Sequence, residues 1–123
     1  MLDHLSIQCR SVDVSSAFYD TALAPLGGGR ILDLGAVIGY GIGDKPTFWL
    51  GPLTTGDANR EVHVAFAATD RTAVRAFFDA AVAAGAPVLH EPRVHPEYHP
   101  GYYGAFVRDP DGNNGEAVCH LPE

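Results

Sequence analysis

Cysteine, basic residues and long apolar runs are all scarce in this sequence. Only 2 of its 123 residues are cysteine, and 8 basic residues stand against 15 acidic ones, which gives a formal net charge of −7. The acidic balance argues against a nucleic-acid partner, because phosphate backbones are bound by clustered lysine and arginine. No apolar run approaches the roughly 20 residues that a membrane helix needs. We therefore expect a protein that binds neither nucleic acid nor membrane.

The first residues also lack the basic stretch and long apolar run of a secretory signal peptide. Cys9 and Cys119 could pair as a disulfide, but cytoplasmic thiols are kept reduced. Without a secretion signal, the sequence favours a cytoplasmic protein in which both thiols are free and buried.

What the sequence does contain is an ordinary globular composition, with 46% apolar and 19% charged residues. A chain of this length can bury one core, so we predict a single domain over 1–123. Within it, the order strand, helix and three strands occurs twice. A small, polar stretch at 53–59 separates a first module of about 1–55 from a second module of about 60–123.

Apolar periodicity and capping residues predict the elements of both modules. In the first, we predict a strand at 2–9, a helix over 14–23 capped by Asp13, and strands at 30–34, 36–42 and 46–51. In the second, we predict a strand at 61–67, a helix over 71–84 capped by Asp70, and strands at 87–91, 103–108 and 115–120. The predicted fold class is α+β, with two βαβββ modules.

Three residues on these strands stand out as chemistry-bearing. His4 and His63 occupy matching positions, each in the first strand of its module, and Glu116 lies within the apolar closing strand. An acidic side chain there is costly to bury unless it is paired or coordinates an ion. Alternatively, His4 is only a terminal residue and His63 a histidine satisfied in the core.

Several motifs, in this order, resemble the vicinal-oxygen-chelate superfamily of glyoxalases, bleomycin-resistance proteins and extradiol dioxygenases. They are the opening LDHLSI, the helix SVDVSSAFYDTAL and the closing DPDGNNGE. The resemblance implies that the mixed sheets of the two modules form a cleft, within one chain or between the two protomers of a homodimer. It also implies metal ligands on the first and fourth strands of each module.

Carried over by position, those ligands are His4, His63 and Glu116. The fourth ligand position falls on Trp49, which cannot coordinate a hard or borderline metal cation. Two imidazoles and one carboxylate suit a divalent ion such as Fe, Mn, Zn or Ni, and they leave coordination positions open for substrate. We therefore predict a divalent metal cofactor.

Other residues are candidates for contact with a small-molecule substrate. The loop over 95–103 carries two histidines and three tyrosines. We predict His99 as a general acid or base and Tyr103 as a hydrogen-bond donor to an anionic oxygen, with Tyr102 beside the substrate. Alternatively, this loop only seals one end of a sheet. Trp49 is predicted to stack on the substrate or to pack in the core, and Gln8 lies on the ligand-bearing face of its strand.

Two functions remain open at this stage. One is a metal-dependent lyase, isomerase or dioxygenase that binds a substrate through adjacent oxygens. Phe106 stands where extradiol dioxygenases often have a tyrosine, which weakens the last of these. The other is a metal-free protein that binds or sequesters a small molecule, as bleomycin-resistance proteins do.

Overall fold

The computed structural model describes residues 1–56 and 59–122, and within them the strand and helix pattern occurs twice. The first module consists of β1 (Leu5–Cys9), α1 (Val12–Leu23), a short 3-10 turn (Ala24–Leu26), β2 (Gly29–Asp33), β3 (Ile38–Gly41) and β4 (Phe48–Pro52). The second consists of β5 (His63–Ala67), α2 (Arg71–Ala83), β6 (Val88–Val94), β7 (Tyr103–Arg108) and β8 (Asn114–Cys119). The predicted α+β class and the two βαβββ modules are confirmed.

Each module forms its own four-stranded mixed sheet. The strand orders are β1-β4-β3-β2 and β5-β8-β7-β6. In both sheets the first and last strands of the module pair in parallel, and the remaining pairs are antiparallel. The parallel pairs bring the first and fourth strands of each module side by side, which are the strands on which the family resemblance places metal ligands.

The helix caps agree only in part with the sequence prediction. Asp70 caps α2 as predicted, and its carboxylate accepts a hydrogen bond from the Ala73 amide at 2.7 Å. The predicted cap of α1 at Asp13 is wrong. The Ser11 hydroxyl accepts a hydrogen bond from the Val14 amide instead. Asp13 lies in the first turn, where its negative charge interacts favourably with the helix dipole.

One continuous core joins the two modules. The Phe66 ring on β5 packs edge-on against Phe48 of β4, with ring centres 5.1 Å apart, and Phe48 in turn contacts Tyr19 of α1 at 4.9 Å. Cys9 and Cys119 are buried and unpaired, as expected. Burial raises the pKa of the Cys9 thiol to about 11, so this thiol stays protonated near neutral pH.

A buried carboxylate also ties the modules together. Asp109, in the turn before β8, accepts hydrogen bonds from the Asp111 and Asn113 amides and from the Asn113 side chain. Its remaining partner is the Tyr19 hydroxyl of the first module, which donates to it at 2.6 Å. Burial, and then the Asp109 charge, raise the pKa of Tyr19, so its hydroxyl remains a donor.

No helix in the described ranges is long and apolar enough to cross a membrane.

The Tyr19 contact gives a stability prediction. Tyr19→Phe should lower the free energy of unfolding by about 1.5–3 kcal/mol, because it removes one hydrogen bond from a buried carboxylate. Urea unfolding at neutral pH measures the change. The matched control is Tyr98→Phe, which removes a hydroxyl from a ring that is 56% exposed. Equal unfolding midpoints for the two variants would contradict the assigned contact.

Candidate functional site

Two of the three predicted metal ligands meet in the second module. The parallel pairing of β5 with β8 places Ala65 opposite Glu116, and His63 lies two residues earlier on the same face of β5. His63 Nε2 is 2.7 Å from Glu116 Oε2. The carboxylate has no exposed surface, whereas 52% of the imidazole remains exposed. The pair therefore combines a buried acidic side chain with a ring that solutes can reach.

The other carboxylate oxygen is bound by Tyr102. The Tyr102 hydroxyl donates to Glu116 Oε1 across a short contact. A side chain at Gly104 would place its Cβ 3.1 Å from this oxygen and 3.2 Å from the Tyr102 ring, so the glycine makes room for the bond. Burial, and then the hydrogen bond to Glu116, raise the pKa of Tyr102, which keeps its hydroxyl a donor.

His4, the third predicted ligand, is not part of this pair. It lies one residue before β1 of the other sheet, and its Nδ1 is 2.7 Å from Asp3 Oδ1. Lys45 forms an ion pair with the same carboxylate. The hydrogen bonds from His4 and then Lys45 lower the pKa of Asp3. Residues 1–56 and 59–122 contain no group of three or more His, Cys, Asp or Glu side chains that could hold a metal ion.

The predicted substrate contacts of the first module lie on the same sheet as His4. Trp49 is half-buried on β4, where it pairs with Ser6 of β1. The Gln8 side chain forms two hydrogen bonds with Thr54, in the segment after β4. Its amide nitrogen donates to the Thr54 hydroxyl at 2.7 Å, and its amide oxygen accepts from the Thr54 backbone amide. Direct substrate contact by either residue stays a prediction.

Among the described residues, neither Tyr103 nor His99, the predicted catalytic residues, forms a hydrogen bond with His63 or Glu116. Tyr103 is buried in the core, with the Arg71 guanidinium 4.9 Å from its ring centre and Arg75 donating to its hydroxyl. Side chains alternate along β7, so Tyr103 faces the core while Phe106 lies on the opposite face, where its ring contacts His63. His99 is exposed and contacts His120.

Sequence reasoning missed a buried histidine beside the site. His95 is 1% exposed, and its ring stacks on Tyr98 and packs edge-on against Phe106. Its two ring nitrogens face the Gly104 carbonyl oxygen and a Glu97 carboxylate oxygen. The available signal was the loop over 95–103, which is dense in histidine and tyrosine and in which His99 was the one histidine predicted to be catalytic.

An apolar cavity lies at the junction of the modules. Its volume is about 270 Å³, and Ala65 and Ala67 of β5 line one side of it. The aromatic rings of Tyr40, Phe48 and Phe66 also line it. None of the predicted metal ligands borders this cavity, so it is a separate feature from the His63–Glu116 pair.

Comparisons with known proteins agree on the family. Residues 1–116 match the Glyoxalase/Bleomycin resistance protein/Dioxygenase superfamily. A glyoxalase/bleomycin resistance protein from Albidiferax ferrireducens T118 is 27% identical, with a TM-score of 0.80 and 94% of each chain covered. No curated protein matches the chain.

Two further solved structures show the same fold at lower identity. Lactoylglutathione lyase from Agrobacterium tumefaciens is 23% identical, with a TM-score of 0.68 and 94% of this chain and 90% of that chain covered. An E126Q mutant of the fosfomycin resistance protein FosX from Listeria monocytogenes, complexed with Mn(II) and 1S,2S-dihydroxypropylphosphonic acid, is 14% identical. Its TM-score is 0.69, with 96% and 88% of the two chains covered. The match over residues 1–116 shows that this chain belongs to the Glyoxalase/Bleomycin resistance protein/Dioxygenase superfamily.

Proposed function

We propose that this protein is a metal-dependent enzyme that acts on a small substrate with adjacent oxygen atoms, and that His63 and Glu116 are two of its metal ligands. The observation that supports this most is the 2.7 Å approach of His63 Nε2 to Glu116 Oε2, between residues 53 positions apart. The proposed reaction is that of a lyase, an isomerase or a dioxygenase.

The donor set fits a divalent transition metal. Imidazole nitrogen and carboxylate oxygen suit Fe, Mn, Zn or Ni. Two ligands that each lie about 2.0–2.2 Å from one cation are about 2.8–3.1 Å apart at a right angle and about 3.3–3.6 Å apart in a tetrahedron. His63 Nε2 and Glu116 Oε2, which are 2.7 Å apart, would therefore move apart by a few tenths of an ångström or more to admit the ion. A bound cation would act as a Lewis acid toward an oxygen of the substrate.

Neighbouring side chains orient the Glu116 carboxylate. Tyr102 holds Glu116 Oε1, so the second oxygen of the carboxylate is directed toward His63. Such support of a ligand by a neighbouring hydrogen bond fixes its orientation before the metal binds. The exposed part of the His63 ring leaves the position open to solvent and substrate.

A second copy of the chain is proposed to supply His4. Within the described part of the chain, no third ligand joins His63 and Glu116. His4 lies two residues before Ser6, which pairs with Trp49, just as His63 lies two residues before Ala65, which pairs with Glu116. Both rings are more than half exposed. A two-fold dimer that brings His4 of one protomer to the His63–Glu116 pair of its partner would create two equivalent sites.

The first test is metal analysis of protein purified without a histidine tag. We expect about one equivalent of a transition metal in the unsubstituted protein, and a loss of at least about tenfold in His63→Ala and Glu116→Gln, because each removes a ligand. His90→Ala is the matched control, since it removes an exposed histidine that is not a proposed ligand. If the unsubstituted protein retains no metal and takes up none on titration, the enzyme proposal fails.

The dimeric site has its own test. Neither His4→Ala nor Glu116→Gln chains should hold metal alone, but mixing them under conditions that exchange protomers should restore about a quarter of the occupancy, because mixed dimers contain one complete site. Mixing His63→Ala with Glu116→Gln is the control and should restore none, since both changes affect the same half of the site. Equal results for the two mixtures would contradict a site shared between protomers.

Tyr102→Phe tests the orientation of the carboxylate. Removing the hydroxyl frees Glu116 Oε1 and should weaken metal binding about 10–100-fold. The dissociation constant is measured by competition with a chelator, and Tyr98→Phe is the control. An unchanged constant for Tyr102→Phe would show that its hydroxyl does not prepare the ligand.

One observation favours a second function, namely metal-free binding of a small molecule. The Glu116 carboxylate already has partners on both oxygens, so its burial does not require a cation. The apolar cavity of about 270 Å³ beside β5 would suit an apolar portion of such a ligand. A binding protein of this kind would keep its ligand affinity after chelator treatment, whereas the proposed enzyme would lose turnover.

A further inference from the structure

Two exposed histidines, His99 and His120, lie beside the Tyr102 ring. His99 Nε2 is 2.9 Å from His120 Nδ1, and the two rings are nearly parallel, with centres 5.0 Å apart. Neither residue belongs to the proposed His63–Glu116 ligand set, and the sequence pattern predicted no role for His120. The two nitrogens meet across 21 positions of the chain.

A tight turn places His99 beside His120. The Tyr102 amide donates to the His99 carbonyl, and Gly101 between them has a φ of 84°, a conformation that favours glycine. Pro100 and Gly101 occupy the two central positions, which matches a type II turn. A Cβ at Gly101 would lie 3.3 Å from the His120 carbonyl oxygen, so the turn rests directly on the residue after β8.

Hydrogen bonding fixes which nitrogen of His99 is available. His99 Nδ1 lies 2.7 Å from the Pro100 carbonyl oxygen. A carbonyl only accepts, so Nδ1 carries the proton and the lone pair of a neutral ring is on Nε2, facing His120. Metal-binding histidines commonly have this arrangement, in which the second ring nitrogen donates to a backbone carbonyl.

Packing restricts both rings. The Tyr102 ring lies edge-on to each of them, with centres 5.3 Å from His99 and 5.2 Å from His120. The pair is therefore held by a turn, a carbonyl and a shared aromatic neighbour, while its outer side is open to solvent.

We propose that His99 and His120 form a second cation site that binds a borderline divalent ion with right-angled coordination such as Ni(II). Two nitrogens about 2.05 Å from one ion lie about 2.9 Å apart at a right angle and about 3.4 Å apart in a tetrahedron. The observed separation fits the first geometry. When the ion lies between the rings, the proton on His120 Nδ1 moves to Nε2 of the same ring. Both nitrogens that face the ion then have a free lone pair, and both rings remain neutral.

This position would leave coordination sites for other donors. In the described ranges, no third His, Cys, Asp or Glu completes a metal-binding group, so water or a donor atom of a bound molecule fills the remaining positions. The net charge of −7 favours the approach of a cation.

The test measures Ni(II) binding by calorimetry in an untagged His4→Ala/His63→Ala protein, in which the first proposed site cannot form. We expect one Ni(II) per chain, and affinity at least about tenfold weaker when His120→Ala is added. Adding His90→Ala instead is the matched control and should leave the affinity unchanged. Absence of Ni(II) binding, or equal loss in the two triple variants, would overturn the proposal.

A second measurement locates the ion without altering the pair. In the same His4→Ala/His63→Ala background, substoichiometric Ni(II) should broaden the imidazole NMR signals of His99 and His120 before those of His90. If His90 broadens first, or if the signals of His99 and His120 persist, the ion does not bind between these two rings.

Discussion

The buried carboxylate of Glu116 is the constraint on which the rest of the site depends. An ionised carboxylate without solvent contact is tolerated only when charged or hydrogen-bonding partners replace the lost water. His63 and Tyr102 take these two positions, one from the neighbouring parallel strand and one from the loop before β7. The register of β5 against β8 and the absence of a side chain at Gly104 are both required for this arrangement.

Much of the fold follows from local sequence patterns, because alternation and capping are local effects. The strand Tyr103–Arg108 and the helix start at Arg71 coincide with their predicted positions. The start of α1 was misplaced by two residues, since Ser11 and Asp13 are both good caps and only the course of the chain after β1 selects between them. The end of β6 extends three residues beyond its predicted end, because pairing with β7 continues to Val94.

The candidate site was only partly predictable, for a physical reason. The meeting of His63 with Glu116, which the family resemblance implied and which strand alternation supported, follows from the parallel pairing of the first and fourth strands of one module. The position of His4 depends on how whole sheets are arranged, which no local pattern determines. His120 shares the strand face of Glu116 by alternation, so parity along β8 was a signal for it, whereas its contact with His99 depends on the turn at Gly101.

The contact between Tyr19 and Asp109 has a consequence for any division of the chain into its two modules. A half-chain that ends before β5 would leave the Tyr19 hydroxyl without its acceptor. A half-chain that begins at β5 would leave the Asp109 carboxylate, in the turn before β8, without one of its donors. Each fragment would also expose aromatic surface that the intact chain covers at Phe48 and Phe66. The two modules are therefore mutually dependent, and neither half-chain keeps the buried contacts of the intact chain.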